Sequence, residues 1–256
     1  PPSVRIIATF SVGYEHIDIA AATARGILVS NTPDVLTDAT AEIALLLLLG
    51  AARRAHEGAD MLRRARRARW APTPLMGGGL RGKRLGIVGM GRIGQALAAR
   101  ARACGMEIHY YNRPRLPEAI EASATHYSSV EALLPQAQFL SLHCPLTPQT
   151  AKLIDARRLA MLPEGAVLVN TARGGIVDDD ALIAALASGR LAAAGLDVFD
   201  GEPNVDPRYF AIENAFILPH MGSATIEARN AMGFRAIENL KAVLIDGIAP
   251  PHQVRG

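Results

Sequence analysis

The sequence is short of the residues that build cross-links, metal centres and membrane spans. Its 256 residues include two cysteines, Cys104 and Cys144. That excludes a disulfide framework and leaves no spacing that suits a zinc site, so no metal is expected. No apolar run approaches the length of a bilayer: the one unbroken leucine run covers residues 45 to 49. Lysine is nearly missing, with Lys83, Lys152 and Lys241 alone, so arginine carries the basic charge and the formal net charge is only +3. Such a mild excess argues against a nucleic-acid partner. The one basic cluster, from Arg63 to Arg69, reads as a solvated helix face followed by a loop. No targeting segment is evident, and the chain reads as a soluble, cytoplasmic protein with no membrane partner. Half of the residues are apolar, enough for one large or two modest domains with real cores.

What is present begins with glycine. Leu85, Ile87 and Val88 read as a buried strand, and Gly89, Gly91 and Gly94 follow at GxGxxG spacing around Met90, Arg92 and Ile93. Ile93, Ala96, Leu97 and Ala98 then recur at helical spacing, and Ile108, Tyr110 and Tyr111 read as the next strand. In that context Gly89 allows the tight turn, Gly91 admits a pyrophosphate to the backbone and Gly94 lets the helix approach the strand. The free N–H groups and dipole at the helix start would face the phosphates. An acidic residue is expected roughly 20 residues beyond the glycines when the ligand is NAD. Here Asn112, Arg113, Pro114 and Arg115 stand instead. Two guanidinium groups suit an adenosine 2′-phosphate, so NADP is expected over NAD, with NAD still possible.

Along the chain, strands and helices alternate with short connections. Strands are expected near residues 4–7, 27–29, 139–142, 166–169, 191–196 and 216–218. Helices are expected near 17–24, 41–54, 130–134, 153–161, 178–187 and 224–246, with a loose Pro-rich tail from Pro250. The helix near 41–54 is apolar nearly all round and should be buried between layers, with Thr37, Asp38 or Thr40 as its cap. This alternation means an α/β fold with a doubly wound parallel sheet. Residues 33–222 read as the dinucleotide-binding domain. Residues 1–32 hold two short strands that cannot bury a sheet alone, and residues 223–256 form a terminal helix that returns to them.

Ligands on such sheets lie beyond the carboxyl ends of the strands. There the sequence sets His143 with Cys144 and Pro145, then Thr171, Ala172, Arg173 and Gly174, then His220. A nicotinamide enzyme needs a group that gives or takes a proton near neutral pH, and histidine suits the task. A carboxylate beside it would favour the imidazolium and fix the ring, and an arginine would hold an acidic substrate. His220, Glu202 and Arg173 fill these three roles. His143 reads as a loop-packing residue, and nothing near Cys144 suggests a reactive thiolate.

The runs from Asn170 to Asp178, from Gly195 to Phe199 with Glu202-Pro203, and from Leu218 to Thr225 resemble the D-isomer-specific 2-hydroxyacid dehydrogenases. So do residues 12–18 and Asn31-Thr32-Pro33. Within that family the chain is most similar to glyoxylate/hydroxypyruvate reductases. The resemblance implies a Rossmann-type coenzyme domain beside a flavodoxin-like substrate domain that is incomplete here, because family members begin with further strands and helices. It implies a small 2-oxoacid or 2-hydroxyacid as substrate. Arg173 would bind the substrate carboxylate and carbonyl, His220 would supply the proton, and Glu202 would pair with His220. The amides of Val12 and Gly13 would hold the other side of the carboxylate. Asp197 would touch the nicotinamide amide, Arg92 and Ile93 the pyrophosphate, and Thr171, Ala172 and Gly222 would lie along the nicotinamide. Cys144 and Pro145 belong to the same cofactor lining. Trp70 resembles an arm residue that reaches a partner subunit, which implies a homodimer. A nucleotide-sensing, co-repressor-like interaction protein of the same fold, or a catalytically impaired truncated homologue, stands as the alternative.

Overall fold

A computed structural model describes residues 3–64 and 71–255. In chain order come β1 (Ile6–Ala8), α1 (Ile19–Ala24), β2 (Leu28–Ser30), α2 (Thr37–Ala52) and α3 (Ala55–Arg63). A regular alternation follows with β3 (Arg84–Val88), α4 (Arg92–Ala103), β4 (Glu107–Tyr111), α5 (Glu118–Glu121), β5 (Thr125–Tyr127) and α6 (Val130–Leu133). It continues through β6 (Phe139–Leu142), α7 (Ala156–Leu159), β7 (Ala166–Asn170), α8 (Asp179–Ala187), β8 (Leu191–Leu196), β9 (Ala215–Ile217) and α9 (Ile226–Leu244). The residues fall into two compact units: those up to Ala39 together with those from Ser223 onward, and Thr40–Gly222.

The larger unit is built on a seven-stranded sheet in the order β5-β4-β3-β6-β7-β8-β9, parallel at every pairing. A parallel sheet covered on both faces demands strands that are apolar throughout. β6 and β7 come close to the demand, with every residue buried and Ser141 and Asn170 the polar exceptions. Successive side chains alternate between faces. Leu85, Ile87, Val167 and Val169 point into one apolar layer with Leu47 and Leu48 of α2 and Leu97 of α4. Leu140, Leu142, Leu168 and Leu196 point into the other with Leu133, Leu182 and Leu186 of α6 and α8. α2 lies so close to β8 that a Cβ on Gly195 would sit 2.8 Å from the Cβ of Leu47. The expected α/β doubly wound sheet is therefore present.

Several local readings change. α2 begins at Thr37, a turn earlier than expected, with the Thr37 amide donating to the Asp34 carbonyl at 3.1 Å. It buries one face only, since Leu46 and Leu49 are exposed. The helix expected over 153–161 shrinks to four residues. Ile154 pairs instead with Val177 in an isolated parallel bridge, and the Asp155 side chain caps α7 by accepting from the Arg158 amide at 2.8 Å. β5, a three-residue edge strand, was not expected; Thr125-His126-Tyr127 is too short and too polar to announce itself.

In the smaller unit β1 and β2 pair in parallel. Asp18 caps α1 by accepting from the Ala21 amide, and Thr225 caps α9 by accepting from the Ala228 amide. Asn239 on α9 is fully buried and donates to the Asn31 carbonyl at 3.2 Å. The tail is not loose: the Val254 amide donates to the Val29 carbonyl at 2.8 Å, and Gln253 bridges Ser30 in the antiparallel sense. The apolar Val254, against Val29 and Ala22, supplies the reason. Among the described residues no helix is long and apolar enough to cross a membrane.

Candidate active site

The strand order reverses between β3 and β6, because β4 lies on one side of β3 and β6 on the other. At such a point the loops leaving the two strands part and open a crevice. The glycine loop occupies it. Gly89 has φ +95°, and a Cβ there would meet the Cys144 amide nitrogen at 2.6 Å and the His143 carbonyl carbon at 2.7 Å. The turn and the neighbouring loop both require glycine. At Gly94 a Cβ would lie 2.4 Å from the Gly89 carbonyl oxygen, so only glycine lets α4 start this close to β3. Gly91 differs: it sits just before α4, and a Cβ would meet open space. That space lies before the first turn of α4, where Arg92 and Ile93 begin the helix and its leading amides have no helical acceptor. A second sign comes from Thr171, whose buried hydroxyl oxygen has no hydrogen-bond partner among the described residues. An open space at a helix start and an orphaned hydroxyl at the next crevice loop fit a dinucleotide.

Asn112 is tied to this loop. Its Oδ1 accepts from the Met90 amide at 3.2 Å, and its Nδ2 donates to the Pro114 carbonyl at 3.0 Å. Arg113 and Pro114 are exposed. The pair of guanidinium groups expected for a 2′-phosphate is reduced to one. Arg115 donates through Nε to Glu121 Oε1 at 2.8 Å and through its terminal nitrogen to Oε2 at 3.0 Å.

The three catalytic candidates leave neighbouring strands. After β7, Asn170 forms a side-chain turn: its Oδ1 accepts from the Ala172 amide at 3.0 Å and its Nδ2 donates to the Arg173 carbonyl at 2.9 Å. Gly174 then runs against the loop after β8, where a Cβ would fall 1.8 Å from the Phe199 carbonyl carbon and 2.1 Å from the Asp200 amide. In that loop Glu202 accepts from the Phe199 amide at 2.7 Å through Oε1. Its Oε2 lies 2.6 Å from His220 Nδ1. The ring is half-exposed, and with Nδ1 taken, Nε2 is left for a substrate. The structure thus brings Glu202 and His220 together and packs the backbone beside Arg173 against the loop that carries Glu202.

Asp197 has a duty that sequence reasoning missed. It is 1% exposed, and its oxygens accept from the Met221 amide at 2.8 Å and the Gly222 amide at 2.7 Å. Burial pushes this carboxyl up, and the two amides pull it back. His220, just before them, holds the left-handed φ of +52°, a conformation that a non-glycine residue keeps only when its surroundings impose it. The available signal was a carboxylate closing an otherwise apolar strand.

Other candidates have quieter roles. His143 Nε2 is 2.8 Å from the Ser141 hydroxyl, and burial pushes the ring down to about 4, so it is neutral at physiological pH. Burial pushes the Cys144 thiol up to about 11, against thiolate chemistry. The exposed Pro145 accepts through its carbonyl from the Thr150 hydroxyl at 2.6 Å. In the smaller unit the carbonyls of Val12 and Gly13 accept from Asn31 Nδ2 at 2.8 Å and the Ser11 hydroxyl at 2.5 Å. Trp70 lies outside the described residues.

Residues 45–222 match the family model for the NAD-binding domain of D-isomer specific 2-hydroxyacid dehydrogenases. The chain belongs to this family. As a 2-hydroxyacid dehydrogenase it is an NAD(P)-dependent oxidoreductase. It is 48% identical over 257 residues to the glyoxylate reductase of Thermococcus litoralis, a match that spans 99% of this chain and 77% of the relative. To the glycerate dehydrogenase of Hyphomicrobium methylovorum it is 47% identical over 245 residues, spanning 95% and 76%. A solved NADPH-dependent glyoxylate/hydroxypyruvate reductase from Sinorhizobium meliloti, in complex with NADP and malonate, matches with TM-score 0.89 at 38% identity. That match covers 100% of this dehydrogenase and 81% of the other chain.

Gly174 gives the most direct check of this geometry. Gly174→Ala should force the Arg173 loop away from the Glu202 loop, and kcat/KM should fall by about a hundredfold in a steady-state assay. Near-normal kinetics would show that the close approach does not matter.

Proposed function

We propose that this dehydrogenase reduces glyoxylate or hydroxypyruvate to the corresponding 2-hydroxyacid, the D form where the product is chiral, and that it uses NADPH. The observation that carries the reading is the 2.6 Å pairing of His220 Nδ1 with Glu202, beside the loop that bears Arg173. The names of the relatives support the substrate class, and the exposed Arg113 in place of an acidic residue supports the cofactor.

The reduced nicotinamide, when bound, supplies the hydride that reaches the carbonyl carbon. Arg173 pairs with the 2-oxoacid carboxylate and polarises the carbonyl oxygen, as a planar cation with several donors is suited to do. His220 gives its Nε2 proton to the oxygen as charge develops there. Glu202 accepts from Nδ1, fixes the ring and balances the imidazolium. Asp197 keeps the amides after His220 in place, and its contact with a nicotinamide amide belongs to the same proposal. Gly91, Arg92 and Ile93 are assigned to the pyrophosphate. Thr171, Ala172, Cys144, Pro145 and Gly222 line the nicotinamide half.

His220→Ala should lower kcat/KM for glyoxylate by about three orders of magnitude. Glu202→Gln removes the charge beside Nδ1. With the ring no longer oriented and balanced by a carboxylate, kcat for glyoxylate should fall about tenfold or more. An unchanged kcat would disprove the pairing. For the cofactor, kcat/KM should favour NADPH over NADH, and Arg113→Met should lower that ratio about tenfold or more. A preference for NADH would end the NADPH reading. Rapid NADPH oxidation with glyoxylate would exclude a purely binding role.

A homodimer belongs to this reading too. Leu46 and Leu49, exposed together on the outer face of α2, support it, since neighbouring exposed apolar side chains mark surfaces that assemblies cover. Light scattering should report two copies per particle, and a single copy at micromolar concentration would overturn it.

A further inference from the structure

The turn that follows β4 is held at both ends. At its start, Asn112 is tied to the Met90 amide and to the Pro114 carbonyl. At its end, Glu121 grips Arg115 through two hydrogen bonds of 2.8 and 3.0 Å. Glu121 also accepts from the Tyr110 hydroxyl at 2.5 Å, and that hydroxyl in turn accepts from the Leu116 amide at 3.1 Å. The Glu121 carbonyl accepts from Arg102 of α4 at 2.8 Å, which anchors α5 to the helix that begins at the glycine loop. Glu121 is 5% exposed. Between these anchors lie Arg113 and Pro114. Arg113 makes no side-chain hydrogen bond or ion pair with another described residue.

A buried carboxylate is kept only when donors repay its lost hydration. Here the donors come from the turn and from β4, so the carboxylate fastens one to the other. Pro114 fixes its own φ and removes freedom from the middle of the turn. What the arrangement leaves unspent is a single guanidinium on an ordered turn, at the strand end where an adenosine ribose is held in this fold.

We infer that Arg115 and Glu121 are positioning residues for cofactor selectivity: their paired hydrogen bonds hold the turn in the form that presents Arg113 to an adenosine 2′-phosphate. The inference rests on the NADPH reading above and adds to it the device that makes one exposed arginine selective. A loop ordered before binding does not have to be ordered by the ligand, and that saving appears as affinity for the phosphate. The Arg115 and Tyr110 donors hold the Glu121 carboxyl at about 2, so the device is intact across the pH range of any ordinary assay.

The test compares kcat/KM for NADPH and NADH in the wild type and in four variants. Arg115 is exposed, so Arg115→Met leaves the packing of the unit alone. It should lower the NADPH-to-NADH ratio about five- to tenfold, with the loss in KM for NADPH and not in kcat. Arg115→Lys, which keeps a cation beside Glu121 but not the fork, should recover part of that ratio. The double variant Arg115→Met/Glu121→Gln should lose no more than Arg115→Met alone, because the two residues act as one unit. An unchanged ratio in Arg115→Met, or equal losses with both cofactors, would overturn the inference. Arg113→Met separates the two claims. If the wild type shows no NADPH preference, or Arg113→Met leaves it untouched, the NADPH reading itself fails. If Arg113→Met abolishes the preference and the Arg115 variants retain it, the positioning role alone fails.

Discussion

A carboxyl group at the end of β8, nearly sealed from water, is the constraint around which the candidate catalytic edge is arranged. An ionised carboxylate in such a place is tolerable only with donors of matched geometry. Asp197 finds them in two consecutive backbone amides, and those amides belong to the loop that carries His220. One carboxylate therefore fixes a loop from a different strand. The neighbouring carboxylate, Glu202, does the same on a smaller scale: one oxygen takes the Phe199 amide and the other the imidazole. Amides give direction as well as charge balance, so the ring is held by its backbone on one side and by its Nδ1 proton on the other. On the proposed role of His220, the requirement that a proton donor be oriented before the substrate arrives is met by these contacts.

The parallel sheet supplies the other half of the arrangement. Adjacent parallel strands release their loops at the same edge, so β7, β8 and β9 deliver Arg173, Glu202 and His220 side by side although they are far apart in sequence. Gly174 shows how tight that delivery is, for no side chain fits between its backbone and that of Phe199 and Asp200. At the centre of the sheet the same logic sets Gly89 against the loop after β6. At Gly174 glycine is used for the absence of a Cβ, and at Gly89 for that and for its positive φ together.

Much of this was legible in the residues. Apolar runs with helical or unbroken periodicity announced β3, β6, β7, α4 and α8, because burial on both faces leaves a plain pattern. The glycine spacing and the loop residues His220, Glu202 and Arg173 were legible because they sit where apolar runs stop. What could not be read depended on partners that pattern does not encode. Arg115 resembled a second phosphate ligand until Glu121, six residues on, was found to hold it. Asp197 resembled a cofactor contact, and its service to the His220 loop needed the fold to bring β8 and the residue 218–222 segment together. Val254 lies in a Pro-rich tail and gave no hint of its bond to Val29. The four-residue α7 lost its outer turns to a bridge between Ile154 and Val177.

The bond between Val254 and Val29 also has a bearing on how the protein is made. The smaller unit draws its first strands from the beginning of the sequence and its long helix and tail from the end, with the whole of Thr40–Gly222 between them. As the nascent polypeptide leaves the ribosome, β1 and β2 emerge before α9 and must wait for it, while the seven-stranded sheet has all its own residues in hand earlier. The smaller unit is thus completed only after every strand of the larger one has been made.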